Sequence, residues 1–544
     1  MVLRRLVWLA VAVLVATRAA AQSDDDLLRA LGELREASFI EKEQIVERLS
    51  RGGDRRAPQV LRAFLEDRLY WRSSDQRIFI AASADDAVPS LPLIDPITLK
   101  DAGTAARDQL TPIGTNNRLR KALKTAVARF DLVNSDPAVR LNAVKEMLRS
   151  LDEPSIALLR QRAHLETQSA VKAEIDTGLS LAVLDGSDPS ARLEAVATLS
   201  RRLRPEVRNR LAALLDKTPD GGFVEPDQAV RRAAQDAITR IDRRRSLYSA
   251  VETLFFGVSL GSVLVLVAIG LAITFGVMGV INMAHGELMM LGAYTTYVTQ
   301  LVMPNHIGAS ILVAIPTAFI VTGATGVLLE RTIIRFLYGR PLETLLATFG
   351  VSLILQQLVR SVFSANNRAV ETPAWLSGTW QINEALALTY NRLYVVIFTL
   401  LVFAILLIVL KRTRMGLQIR AVALNRGMAQ AMGIRSEWVD ALTFGLGAGI
   451  AGVAGVALSQ LTNVGPNLGQ AYIIDSFMVV VFGGVGSLWG TLVGGMSMGV
   501  VNQLLESYAG AVLAKIFVLI ALILFIQRWP RGLFPQTGRV AESQ

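Results

Sequence analysis

The chain has no cysteine in its 544 residues. That excludes a disulfide framework, a thiolate metal site and a cysteine nucleophile. It also has no G-x-x-x-x-G-K-[ST] loop, so it cannot cradle ATP by that route. Charge is scarce: 19% of residues are Asp, Glu, Lys or Arg, 52% are hydrophobic, and the mean hydropathy is +0.40. An ordinary soluble domain has about a quarter of its residues charged. So much apolar material excludes a disordered chain, and the length argues against a single soluble domain.

The net charge of +10 invites a nucleic-acid reading, which fails once the chain is divided. Residues 246–544 hold 16 Lys+Arg and 11 Asp+Glu, and residues 1–245 hold 40 and 35. Neither part is strongly basic, and no nucleic-acid partner is expected. Two materials are joined, a highly charged front and an apolar back.

The first residues read as an address. Arg4 and Arg5 precede an apolar run over residues 6–16, then Ala19, Ala20 and Ala21. A charged start, a short apolar core and a small-residue cleavage site make a signal peptide over residues 1–21. The run is well short of the roughly 20 residues that span a bilayer. Residues 22–245 are therefore expected on the outer side.

That front has a helical pattern. Leu27, Leu28, Leu31 and Leu34 recur at helix spacing. The string Asp136-Pro137-Ala138-Val139-Arg140-Leu141 returns as Asp188-Pro189-Ser190-Ala191-Arg192-Leu193, with a looser copy from Asp227. Asp caps each helix and Pro suits its first turn. Repeats of this length suggest a HEAT-like helical domain over residues 22–245. Residues 73–114 lack the helical period and carry Pro89, Pro92, Pro96 and Pro112. They read as a loop or short strands in a small module. The lone histidine of the front, His164, reads as an ordinary helix residue. A docking surface is a better reading of this front than an enzyme.

In the back, apolar runs of spanning length fall near 250–280, 286–302, 308–330, 344–363, 394–410, 441–461, 472–489, 491–508 and 512–527. Residues 246–535 thus read as eight or nine spans, with 536–544 as a tail. Arg331, Arg335 and Arg340 form one basic segment. Lys411, Arg412, Arg414, Arg420, Arg426 and Arg435 form another, and Arg528, Arg531 and Arg539 a third. With nine spans and an exported front, all three face the cytoplasm. The cluster Arg243-Arg244-Arg245 then lies outside, against the charge rule, which translocation of a long domain overrides.

Polar groups within this apolar zone are costly and point to function. Asn282, His285 and Glu287 lie within six residues, among glycines. They suit a substrate path or its gate, or a hinge whose side chains satisfy freed backbone groups. A metal site is disfavoured because no third ligand is near. Asp475 precedes the Gly-dense run 483–495, a second broken segment. Such pairs mark a substrate path, and plain small-residue packing is the alternative. Residues 416–434 read as one short amphipathic helix ended by Gly433. It suits a groove on a partner or the lipid surface.

Three blocks, residues 279–294, 420–434 and 483–495, resemble the permeases of branched-chain amino-acid ABC transporters, and they occur in the expected order. The exported extension, with Arg340-Pro341-Leu342-Glu343-Thr344 leading to Gln356-Gln357, looks closest to the urea-type permeases. The resemblance implies a mainly α, polytopic membrane permease with an exported helical domain. It implies urea import in a bacterial inner membrane. Branched-chain amino acids or short-chain amides are the rival cargo, and a membrane sensor is a rival of another class. The chain would be no enzyme and hold no cofactor or metal, because separate ATPase subunits would consume the ATP. A second homologous permease and a periplasmic solute-binding protein would complete the assembly. The family's His-Gly-Glu element falls on His285, Gly286 and Glu287. Its ATPase-coupling helix falls on Arg420, Ala421, Asn425, Ala429, Met432 and Gly433.

Overall fold

The computed structural model describes residues 27–52, 54–82 and 90–534. The expected signal peptide and the tail 536–544 lie outside these residues. The chain divides into two compact units, Met1–Arg244 and Arg245–Gln544.

The first unit opens with α1 (27–36), α2 (Phe39–Arg51) and α3 (Ala57–Leu65). Ser38 and Glu41 close a capping box at the start of α2. Leu27, Leu31 and Leu34 are buried, while Leu28, off that face, is exposed. The Pro-bearing stretch is strand, not loop. Strands β1 (Leu69–Arg72), β2 (Ile78–Ala81), β3 (Ser90–Ile94), β4 (Asp101–Ala106) and β5 (Leu110–Pro112) form one antiparallel sheet, ordered β4-β3-β2-β1-β5. Strand alternation gives the sheet two apolar faces. Leu69, Ile78 and Ile80 join the core of α1–α3 and α4 (Asn117–Asp131). Tyr70, Phe79, Leu91 and Leu93 form a second cluster. The sheet shares a core with the helices, so it is not a separate module.

The repeated strings become equivalent helices. They start α5 (Pro137–Met147), which is followed by α6 (Glu153–Ala163) and α7 (Ser169–Val183), and α8 (Pro189–Leu199), which is followed by α9 (Pro205–Ala213). The third starts α10 (Gln228–Met278), one 51-residue helix. Asp136, Asp188 and Asp227 cap these helices, each accepting a backbone N–H at 2.7–2.9 Å. Arg140 grips Glu166 through two bonds, at 2.8 and 2.9 Å, and Arg192 grips Glu225 at the same distances. All four side chains are buried. The Arg140 guanidinium holds the Glu166 carboxyl down at about 2.

The second unit is a helical bundle. After α10 come α11 (His285–Val302), α12 (Ile307–Thr332), α13 (Pro341–Phe363) and α14 (Tyr390–Arg412). Two short helices follow, α15 (Arg414–Leu424) and α16 (Arg426–Ala431). Then come α17 (Ser436–Ser459), α18 (Leu468–Gly483), α19 (Leu488–Ala509) and α20 (Ala511–Arg528). Eight of the nine expected spans each fall on one helix. Among the described residues six helices, α10, α12, α13, α14, α17 and α20, are long and apolar enough to cross a membrane. The stretch 472–489, expected as an interrupted, Gly-dense span, breaks before its end. Its helix α18 stops at Gly483, and Gly484 and Gly486 take positive φ in the turn before α19.

Glycine sets the packing of α17. A Cβ at Gly455 would strike the Met289 backbone of α11, and one at Gly447 would come within 2.7 Å of the Gly270 carbonyl of α10. Small residues let membrane helices approach backbone to backbone. α17 thereby becomes the buried rod against which α10, α11 and α12 pack.

The three basic segments gather at one end of this bundle. Arg331 lies 3.7 Å from Glu437, Arg426 sits over the Tyr338 ring, and Gly484 meets the backbone of Arg531 and Phe534. At the other end, Gln300 bonds to Glu371, Arg368 pairs with Val464, and Trp375 bonds to Gly308. A two-stranded hairpin of β6 (Thr379–Gln381) and β7 (Ala387–Thr389) lies between α13 and α14 in sequence.

Candidate functional site

The break between α10 and α11 is built by glycine and asparagine. α10 stops at Met278, and Gly279 takes φ +67°. Asn282 accepts from the Ala284 N–H at 3.0 Å, a local turn that ends just before α11 starts. His285 and Glu287 thus sit in the first turn of α11, both buried.

His285 reaches back to α10. Its Nε2 lies 3.1 Å from the Val267 carbonyl. A carbonyl only accepts, so Nε2 carries the proton and Nδ1 is left as an acceptor. Glu287 faces α13 instead. Its Oε1 accepts from Ser352 Oγ at 3.1 Å and from Gln356 Nε2 at 2.8 Å. Gly469, at the start of α18, closes the third side: a Cβ there would lie 2.8 Å from the Glu287 carboxyl carbon. Three polar atoms of this set have no hydrogen-bond partner: Asn282 Nδ2, His285 Nδ1 and Glu287 Oε2. Buried polar atoms without partners are rare, and together they offer a donor and two acceptors.

The face of α13 that meets Glu287 carries a polar ladder. Thr344, Thr348, Ser352 and Gln356 recur every four residues and are buried. Thr348 accepts from the Met283 N–H at 3.1 Å, which ties the ladder to the break. The sequence reading used Gln356 only for resemblance and did not assign the ladder. Its signal was present as polar residues at i, i+4 in an otherwise apolar helix.

Asp475 is placed elsewhere. Its carboxylate lies 3.5 Å from Lys515 of α20. It therefore contributes an α18–α20 pair, whereas Asn282, His285 and Glu287 line the α10–α11 break.

The expected amphipathic helix over 416–434 is two helices. Asn425 interrupts it with extended backbone and caps α16, accepting from the Met428 N–H at 2.9 Å. Gly433, at φ +85°, follows α16. Ile419, Val422 and Ala429 are buried with Val439. Leu417, Leu424, Met428 and Met432 project outward, Met432 being 77% exposed. Asn425 and Gly433 are exposed and Ala421 is half-buried. Arg420 turns its guanidinium onto the Leu410 carbonyl of α14. Beside it a cavity of about 420 Å³ opens between α10, α14, α15 and the turn before α19, lined by Gly276, Leu410, Arg420 and Trp489.

Residues 253–526 match the sequence model of the family described as "Branched-chain amino acid transport system / permease component". The chain is 33% identical over 302 residues to the high-affinity branched-chain amino acid transport system permease protein LivH of Salmonella typhimurium, covering 53% of this chain and 97% of the relative. It is 32% identical over 306 residues to the corresponding protein BraD of Pseudomonas aeruginosa, covering 54% and 99%. The ribose import permease protein RbsC of Haemophilus influenzae is more distant, at 22% identity over 297 residues, covering 48% and 81%. No solved structure matches. With the break, the paired glycines and nearly the whole length of its relatives contained in one bundle, the chain belongs to the branched-chain amino-acid permease family and is a multi-pass membrane permease component.

Proposed function

We propose that the chain is the permease subunit of an ATP-driven importer whose cargo is urea. The observation that carries the reading is the Glu287 site. Glu287 is buried with uncharged partners, Ser352 and Gln356, and among the described residues no cation forms an ion pair with it. The free Oε2 and the Asn282 Nδ2 suit a small neutral solute that has both N–H donors and a carbonyl. A zwitterion would bring a carboxylate too, and the cation whose charge reaches Glu287, Arg360 one turn beyond Gln356 on α13, is bonded to Asn467 at 2.7 Å.

Branched-chain amino acids are the second reading, favoured by the names of the LivH and BraD relatives. Those relatives match only about half of this chain. The front is the part that they do not share, and we assign it to the outer side as a HEAT-like docking domain.

ATPase subunits would dock on α15–α16, where exposed Leu417, Met428 and Met432 stand on a buried base. A second permease and an exported solute-binding protein would complete the importer. Hydrolysis would move α15–α16, and the bundle would open the α10–α11 break alternately to each side.

Uptake of radiolabelled urea and of leucine in a strain deleted for this chain tests the cargo. Loss of urea uptake with intact leucine uptake is expected. Loss of leucine uptake with intact urea uptake would overturn the urea reading in favour of the second.

A further inference from the structure

The basic end of the bundle holds a cluster of ionisable groups that the substrate site does not use. Asp440, one turn into α17, and Glu330, in the last turn of α12, have side chains only 1% and 2% exposed. Both are anionic groups buried at helix ends, a costly arrangement unless they are partnered. Asp440 is met by Arg426, the first residue of α16, at 2.6 Å. The same guanidinium lies 4.8 Å from the Tyr338 ring. Tyr338 in turn donates its hydroxyl proton to Glu330 at 2.9 Å. Arg331 completes the set, 3.8 Å from Glu330 and 3.7 Å from Glu437.

Arg426 is thus the point at which the short helices grip the bundle by charge. Of the other side chains that fasten α15–α16, Ile419, Val422 and Ala429 are apolar and allow sliding. Arg420 holds the Leu410 carbonyl of α14 and Gln430 donates to Ser436 at 2.6 Å, both without an opposite charge. The contact is a single one, Arg426 Nη2 to Asp440 Oδ2, and a buried carboxylate that loses its cation is costly. The helix that Arg426 holds is the one best placed to pass a movement on. α17 lies backbone to backbone with α11 at Gly452 and Gly455, and α11 carries His285 and Glu287.

We propose that the Arg426–Asp440 pair is the positioning link that converts displacement of α15–α16 into movement of α17, with Tyr338 and Glu330 holding the Arg426 guanidinium in place. The proposal rests on the reading of α15–α16 as the ATPase dock, and it names the joint through which that dock acts. Asp440 is buried at the joint, so displacement of Arg426 would strip a buried carboxylate of its cation. The two helices must then move together.

The test uses the complete transporter in proteoliposomes and measures solute moved per ATP hydrolysed. R426Q is expected to keep its ATPase subunits and hydrolyse ATP, while solute moved per ATP falls about tenfold, within the usual range of coupling between sites. R426K, which keeps the charge, should recover most of the loss, and Y338F should give a smaller loss of the same kind. M432E serves as the control for the dock. If M432E sheds the ATPase subunits and R426Q leaves solute per ATP unchanged, the link is refuted and the dock stands. If M432E leaves the subunits bound, the dock is refuted and the link with it. R426Q that itself sheds the subunits would place Arg426 in the dock and overturn the proposal.

Discussion

Gln356 donates its side-chain N–H to Glu287 Oε1 at 2.8 Å, joining α13 to the first turn of α11. The bond lies beside the Gly286–Gly469 approach, so three helices meet at one carboxylate. Glu287→Ala would remove the acceptor shared by Ser352 and Gln356, leaving Gln356 only its 3.3 Å bond to Ser352, and an orphaned buried group costs about 1–3 kcal/mol. Thermal unfolding in detergent should show a clear fall. Glu287→Gln keeps the shape and one acceptor oxygen. It should unfold near the parent temperature while solute uptake drops about tenfold, the loss expected of one charged hydrogen bond. Normal uptake by both variants would make the break a hinge only.

The glycines of α17 give a stability prediction with an internal control. Gly455→Val would drive a side chain into the Met289 backbone, where nothing flexible can yield. Overpacking of this kind costs about 1–3 kcal/mol or more. Gly350 in α13 has open space at its Cβ. Gly350→Ala should be neutral or stabilising by about 0.5–1 kcal/mol, the ordinary gain in helix propensity. Melting curves of the two variants should separate in opposite directions from the parent.

The Arg140–Glu166 grip makes the first unit sensitive to acid. Glu166 titrates at about 2 when folded, against 4.5 unperturbed. A lowered carboxylate stabilises the fold above the unfolded value and loses that contribution as pH falls from 4.5 toward 2. Amide exchange in α5–α7 should therefore accelerate across that window. Glu166→Gln should flatten the dependence. Arg140→Ala should be worse than either at neutral pH, because it leaves a buried carboxylate uncompensated at a cost of about 3–5 kcal/mol.

What the sequence revealed divides by the range of the interaction. Helix positions and the repeat caps were legible because an Asp before a Pro acts within one turn. The α10–α11 break was legible because glycine, Asn, His and Glu stand out in apolar surroundings. The strands of residues 69–112 were only partly legible, since their short alternation is masked by Pro92 within the interior strand β3 and Pro112 in the edge strand β5. Sequence also placed Asp475 with the other intramembrane polar groups. Its partner Lys515 lies 40 residues on, and nothing local reports that pairing. The pairing of Arg140 and Arg192 was not legible, because Glu166 and Glu225 are 26 and 33 residues away. The single helix over 416–434 failed at Asn425, a residue that competes for its own backbone. The Glu330–Tyr338–Arg426–Asp440 cluster, drawn from three helices and the connection between α12 and α13, had no one-dimensional signature.

The proposed sidedness can be tested directly because the chain has no cysteine, so each introduced thiol is the only one. Val133 and Leu165 are exposed in the first unit, Asn305 is exposed at the end of the bundle that holds the 364–389 segment, and Met432 is exposed at the basic end. Basic segments stay on the cytoplasmic side, and those of this bundle lie together. A membrane-impermeant maleimide added to intact cells should therefore label Val133→Cys, Leu165→Cys and Asn305→Cys. Met432→Cys should react only after the membrane is opened. An even number of crossings between residues 245 and 432 would reverse the pattern for one group alone, with 133 and 432 reacting alike. Labelling of Met432→Cys in intact cells would remove the ATPase dock from the side on which ATP is found.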